Sequence, residues 1–408
     1  MPSRRVPRRR VVAGLVVTCA ATTVTVPSGG AVAAGPDPEV RQVRLPDSNG
    51  DVISSQPGVF HLDPLKAVKA DAKVQRVMYR TTDRTGMPIA VTGTVLVPHK
   101  AHAAPRPIIG FAPGPQGLAD RCAPSRQPAE GTEYEALPVK GLLDEGYAVV
   151  VTDYQGLGTP GAHTCMDREA RGRAVLDALR AAQRLDAAGL PDAGPVALHG
   201  CSRGGGASAA AAELAPTYAP ELKIQGAVVG APPADMNEGA DSMDCSLHGA
   251  FFNHALTGLS ASCGIDTAPY LTAHGRRVTN DLRDNPCTTQ ALAEYPFLNS
   301  RFLTAGGRPL TERLKRAPWD KIVADQQLGR RTPAVPALLS HSALDDVVPQ
   351  QVADAVFHRG RGPVGRRVRS ARPVVKTRLA LRPPPAGPFV GGSPGDTHLG
   401  GHMSDRTA

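Results

Sequence analysis

The chain has 408 residues, 41% of them apolar and 20% charged, which excludes a wholly disordered chain and leaves room for one large α/β domain or two average ones. Aromatic residues make up only 4% and no repeat of a fixed period is visible, so stacking platforms for single-stranded nucleic acid and repeat arrays fit poorly. The net charge of +9 is concentrated in two runs: five arginines and no acid in residues 1–34, and nine Lys plus Arg with no acid in residues 359–385. Without those runs the chain carries 32 basic against 37 acidic residues. A mildly acidic body argues against a nucleic-acid partner.

Residues 1–34 read as a secretory signal. Arg4 to Arg10 form a basic start, Val11 to Val26 a short apolar stretch, and Ala31-Val32-Ala33 a small-residue cleavage site. The expected localisation is therefore extracellular. Cys19 leaves with the signal, and the six remaining cysteines suit disulfides in an exported protein. Gly35 to Gln56 reads as a surface arm.

Strand and helix signals then alternate. Gln75–Arg80 and Ile89–Val97 predict a hairpin, and Pro107–Phe111 a short buried strand running into the turn Ala112-Pro113-Gly114-Pro115. Tyr147–Thr152 is a continuous apolar run, as expected of a strand covered on both faces. Apolar residues at helical spacing follow from Arg168 to Leu185. Val196–His199 predicts a strand, Ala207–Leu214 a helix and Lys223–Val229 a strand. This order predicts a mostly parallel sheet with helices on both faces. The rhythm breaks at about 231–302, read as a helical insertion, and resumes with a strand at Val335–Ser340 and a helix at Val352–Phe357.

The strongest chemical signal is Gly200-Cys201-Ser202-Arg203-Gly204, a G-x-S-x-G between a strand and a helix. That context places the serine on a tight turn, exposed for nucleophilic attack. A second match, Gly391-Gly392-Ser393-Pro394-Gly395, fails because Pro394 has no N–H to serve an oxyanion. A nucleophilic serine needs a base, and the base an orienting acid, in the chain order serine, acid, histidine. Asp345, in the turn after the late strand, is the expected acid, with Asp346 as the alternative. Three histidines follow it. His358 falls at the end of a predicted helix, whereas His398 sits in a loop of small residues and is the expected base, with His402 in reserve. The oxyanion would be held by the backbone N–H of Arg203 and one near Gln116, in the loop after the buried strand. His398 and His402 also have a zinc-like spacing, but no cysteine pair precedes them, so no metal site is expected.

Several collinear segments resemble the secretory lipase family, typified by fungal lipase A-type enzymes with bacterial relatives. They are Gly114-Pro115-Gln116-Gly117 with Cys122-Ala123-Pro124-Ser125, Asp153-Tyr154-Gln155-Gly156-Leu157-Gly158, the segment around Ser202, and Ala211 to Leu222. Glu294-Tyr295-Pro296-Phe297-Leu298-Asn299 and Asp345-Asp346-Val347-Val348-Pro349 complete the set, which spans residues 70–357.

The resemblance implies an α/β-hydrolase fold with a helical lid and hydrolysis of carboxylic esters of lipid type through an acyl-enzyme. It implies no cofactor, and transient contact with a lipid interface. It assigns Ser202 as nucleophile, Asp345 as acid and Gln116 to the oxyanion loop, where the fungal enzymes carry an acidic residue. It also implies a Cys122–Cys287 disulfide. Cys245 and Cys263 bracket a lid piece and are candidates for a second bond, leaving Cys165 and Cys201 as the third pair.

Two departures stand out. Cys201 and Arg203 replace the family's usual aromatic residue and glutamine. His398 lies 53 residues after Asp345, beyond a basic, Pro-rich stretch at 359–385 that does not read as a paired strand. Two other readings follow: an amide, peptide or antibiotic-ester hydrolase on the same fold, and an exported binding protein that has lost its base.

Overall fold

The computed structural model describes residues 44–102, 105–190, 194–333 and 335–352, and the backbone of the strand Val368–Ala371. All lie within a compact unit that ends at Val375. The signal segment, His358, His398 and His402 lie outside the described residues.

Among the described residues the nine strands are β1 (Val52–Pro57), β2 (Ala72–Thr82), β3 (Pro88–Pro98), β4 (Ile108–Ala112), β5 (Ala148–Thr152), β6 (Val196–Cys201), β7 (Ile224–Gly230), β8 (Ala337–Ser340) and β9 (Val368–Ala371). They form one sheet in the order β1-β2-β3-β5-β4-β6-β7-β8-β9. The first three strands pair antiparallel and β3 meets β5 antiparallel, while every pair from β5 through β9 is parallel. This is the α/β-hydrolase arrangement expected above.

Covered faces explain the central strands. Every residue of β4 and β5 is buried. Along β5, Ala148 and Val150 join one core with Ala174 and Leu179 of the helix Arg168–Arg184 and Ala207 and Leu214 of the helix Arg203–Tyr218. Val149 and Val151 point the other way, to Ala136, Val139 and Leu143 of the helix Ala136–Asp144. The alternation of a strand divides one apolar run between two layers. Among the described residues no helix is long and apolar enough to cross a membrane.

Two regions differ from expectation. Val52–Pro57, read as part of a surface arm, is the edge strand β1 on β2; its outward residues are polar and largely exposed, so it lacks an apolar signature. Val368–Ala371, in the stretch that did not read as a paired strand, is β9, parallel to β8. It is four residues long with an arginine and a serine at its centre, too short and polar for a hydrophobic pattern. Between β7 and β8 the chain is helical, from Met236 through Asp325, running past the limit near 302 read from sequence.

Candidate active site

Strand order places the site. β4 lies between β5 and β6, so the connections leave it in opposite directions and a crevice opens outside the carboxyl ends of β4 and β6. The last registered pair between them is Ala112 with Gly200. The chain past Ala112 is the Gln116 loop, and the chain past Cys201 is Ser202.

Ser202 has φ 54° and ψ −125°, a strained conformation for a residue with a side chain, between β6 and the helix Arg203–Tyr218. Its N–H donates to Gly230 O at 2.9 Å, which pins the bend to β7. The next turn runs too close to the sheet for side chains. A Cβ on Gly204 would stand 2.0 Å from Ala112 O, and one on Gly205 2.0 Å from Gly230 O. Close packing thus forces the chain to turn sharply at Ser202, which remains half-buried rather than sealed in. The Arg203 N–H, first in its helix, and the Gln116 N–H have no described backbone acceptor.

The Gln116 loop is held by buried groups to which sequence reasoning assigned no role. Gln116 is 1% exposed. Its Nε2 donates to Glu133 Oε1 at 3.1 Å and Glu135 Oε2 at 3.4 Å, and its Oε1 accepts from Gln127 Nε2 at 2.6 Å. Glu135 Oε2 also accepts the Gly114 N–H at 2.8 Å. Burial pushes Glu133 up to about 7 and Glu135, with the Glu133 charge beside it, to about 8. Two glutamates flanking a tyrosine look like surface acids in the sequence, and no motif marks them.

Arg203 is also buried. Its guanidinium donates to Gly114 O at 2.7 Å and to His163 Nε2 at 2.7 Å, and stands 4.8 Å from the Tyr154 ring centroid. His163 Nδ1 meets Gln155 O at 2.8 Å, so that nitrogen carries the proton and Nε2 is the acceptor. Burial, then the Arg203 charge, lowers His163 to about 3 and keeps it neutral.

The other side of the loop is stitched to the helical segment between β7 and β8. The Cys122–Cys287 disulfide is present, Thr288 N–H donates to Gln116 O at 3.2 Å, and Thr288 Oγ1 donates to Pro115 O at 2.6 Å. The other two expected disulfides are not formed. Cys165, Cys245 and Cys263 are free thiols. Cys245 precedes and Cys263 ends the helix Gly249–Cys263, and 14 helical steps separate its ends by about 21 Å, far beyond disulfide reach. Cys165 is packed against the same helix, where a Cβ on Gly258 would stand 2.5 Å from its own Cβ.

Asp345 follows β8, two strands from β6. Parallel neighbours lie about 4.8 Å apart, so the acid turn stands about 10 Å along the sheet from the elbow. Asp345 Oδ1 accepts the N–H groups of Val347 at 3.0 Å and Val348 at 2.9 Å, the same role a turn-capping aspartate plays. Its Oδ2 is 3.5 Å from Nε2 of buried His341, which hydrogen-bonds Val348 O at 2.8 Å. Asp346 is exposed. His248, from the helical segment, is lowered by its own burial, with the charges of Asp346 and Asp345 acting against that. The structure thus brings together Ser202, Gln116 and Arg203 at two adjacent strand ends, with Asp345 on a neighbouring turn. The expected base lies outside the described residues.

Comparison with known proteins agrees with this fold. The secretory lipase family profile matches residues 124–370, which include Ser202 and Asp345 and stop short of His398. A "probable inactive lipase" of Mycobacterium tuberculosis is 30% identical over 302 residues, 69% of this chain and 64% of that protein. Lipase A of Moesziomyces aphidis is 30% identical over 304 residues, 68% of this chain and 62% of its own. The chain thus matches less than two thirds of the length of these relatives. The closed-state structure of Candida antarctica lipase A superposes with a TM-score of 0.68 at 25% identity, covering 80% of this chain and 77% of that one. With more than half of its length matched by the family profile and its elbow in place, the chain belongs to the secretory lipase family.

Proposed function

We propose that this protein is a secreted carboxylic-ester hydrolase, a lipase or esterase acting through an acyl-enzyme on Ser202. The observation that carries this reading is the strained Ser202 turn at the carboxyl end of β6, with Arg203 and Gln116, whose N–H groups have no backbone acceptor among the described residues, at adjacent strand ends. In the first half-reaction Ser202 Oγ bonds to the ester carbonyl carbon while His398 takes the hydroxyl proton. The carbonyl oxygen becomes an oxyanion held by the two N–H groups. The carbon–oxygen bond to the alcohol then breaks, and the proton passes from the imidazolium to the departing alkoxide. Water repeats the sequence on the acyl-enzyme, releasing the acid and returning the proton to Ser202. Asp345 orients the imidazole and stabilises its charged form. The substrates are lipid or other esters, and residues 1–34 direct export.

The test is hydrolysis of p-nitrophenyl esters of graded chain length by the purified chain, with Ser202→Ala and His398→Ala alongside. Each substitution should lower kcat by about 1,000-fold or more. Loss in His402→Ala instead moves the base to the reserve position. A second reading, an exported binding protein, is favoured by one observation: the family match ends at residue 370, before His398 and His402. It predicts no turnover by the unaltered chain and poor labelling of Ser202 by a fluorophosphonate.

A further inference from the structure

The two oxyanion donors belong to different segments, one after β4 and one after β6. They act as a preorganised pair only if their separation is fixed before substrate arrives. The sheet does not fix it, since the β4–β6 ladder ends at Ala112 and Gly200, and the loop beyond leaves the register. The geometry points to the Arg203 side chain as the positioning residue that locks the Gln116 loop to the nucleophile elbow. This role is separate from the Arg203 backbone N–H and rests on the serine-hydrolase reading above.

Arg203 is 3% exposed; among the described residues no carboxylate makes an ion pair with its guanidinium, although its charge acts on the buried Glu133 and Glu135 nearby. Its two terminal nitrogens serve neutral acceptors: Nη2 donates to Gly114 O at 2.7 Å, and Nη1 to His163 Nε2 at 2.7 Å and to Cys165 Sγ at 3.8 Å. Burying a guanidinium without a carboxylate is costly. What it gains here is geometry. Gly114 is gripped from both sides, its carbonyl by Arg203 and its N–H by Glu135 at 2.8 Å. The Tyr154 ring under the guanidinium sends its hydroxyl to Pro113 O at 3.0 Å, a second tie to the same loop. His163 holds the other arm of the fork, and Arg171 Nη1 donates to Arg203 O at 3.2 Å, anchoring the base of the side chain. The residue after the nucleophile thus reaches over to hold the peptide two positions before Gln116. A planar fork with two fixed donor directions can do this; a lysine ammonium can supply only one of the contacts in the same place.

Arg203→Met and Arg203→Lys, made in the full chain, test the role, because both keep the backbone N–H. Ester hydrolysis is measured per site titrated with a fluorophosphonate. Alongside it, inhibition by an alkyl trifluoromethyl ketone is followed, whose adduct on Ser202 carries the oxyanion. Arg203→Met should lower kcat about 10–100-fold, the scale of a displaced or lost oxyanion donor, with KM within about threefold. Its Ki for the ketone should rise in parallel with the fall in kcat/KM, and Arg203→Lys should recover part of both. A kcat per titrated site within about threefold of the unaltered chain overturns the role, as does a fall in kcat with the ketone Ki unchanged. If Arg203→Met does not fold, the same two criteria are applied to Arg203→Lys. Normal turnover in Ser202→Ala would instead bring down the underlying serine-hydrolase reading. Loss in Ser202→Ala with unaffected Arg203 variants brings down the positioning role alone.

Discussion

The two ends of the candidate catalytic machinery are built differently. At the elbow, the position of Ser202 follows from backbone contact. Gly204 and Gly205 lie against carbonyls of β4 and β7, and the loop opposite is held by Glu133, Glu135, Gln127, Arg203 and a disulfide. At the acid end, Asp345 sits in a turn held by its own N–H acceptances and one buried histidine. The contrast teaches that the proposed nucleophile and oxyanion donors are set by close packing, whereas the proposed acid stands on a short turn.

That contrast can be broken by substitution. The largest effect is expected from Gly204→Ala, whose Cβ would meet Ala112 O at 2.0 Å. Backbone must move, and the loss should reach about 4 kcal/mol or more. Asp346→Ala, on the exposed face of the acid turn, should change stability by less than about 0.5 kcal/mol. Denaturant midpoints of the two variants compare the ends directly, and equal losses would show that the ends do not differ in rigidity.

Removing the Cys122–Cys287 bond comes next. It closes a loop of 165 residues between the Gln116 loop and the helical segment, and Cys122→Ala with Cys287→Ala should cost about 2–4 kcal/mol in guanidinium unfolding. A negligible loss would mean that the hydrogen bonds from Thr288 suffice to hold the loop.

A pH dependence comes last. Glu133 and Glu135 titrate higher in the fold than free carboxyls do, so the native state binds more protons than the unfolded chain above the ordinary carboxyl range. Stability should therefore fall as pH rises toward 7 and 8, where these groups ionise. Glu135→Gln should flatten that decline by about 2 kcal/mol between pH 6 and 8, read from unfolding curves at each pH. An unchanged slope would remove Glu135 as its source.

The serine, its strand and its helix were legible because their signals are local. A glycine-flanked serine between an apolar run and an alanine-rich helix needs no distant information, and β2 through β8 follow from apolar runs buried on one or both faces. The edge strand β1 escaped because its polar residues are largely exposed, and β9 because four residues with an arginine and a serine at the centre carry no hydrophobic pattern. The Cys122–Cys287 bond came from resemblance. The Cys245–Cys263 and Cys165–Cys201 pairings failed because spacing along the chain says nothing of the rigid helix between Cys245 and Cys263, or of the cap surface on which Cys165 packs.

By itself, the chain of residues made legible the parallel sheet, the glycine-flanked turn at Ser202 and the turn at Asp345, because each carries a side-chain pattern within about a dozen neighbours. Only the tertiary structure decided that Glu133, Glu135, His163 and the Arg203 side chain gather around the Gln116 loop. Burial creates their roles: a carboxyl or guanidinium becomes a fixed strut only when segments distant in sequence close over it and remove the water that would otherwise take its hydrogen bonds.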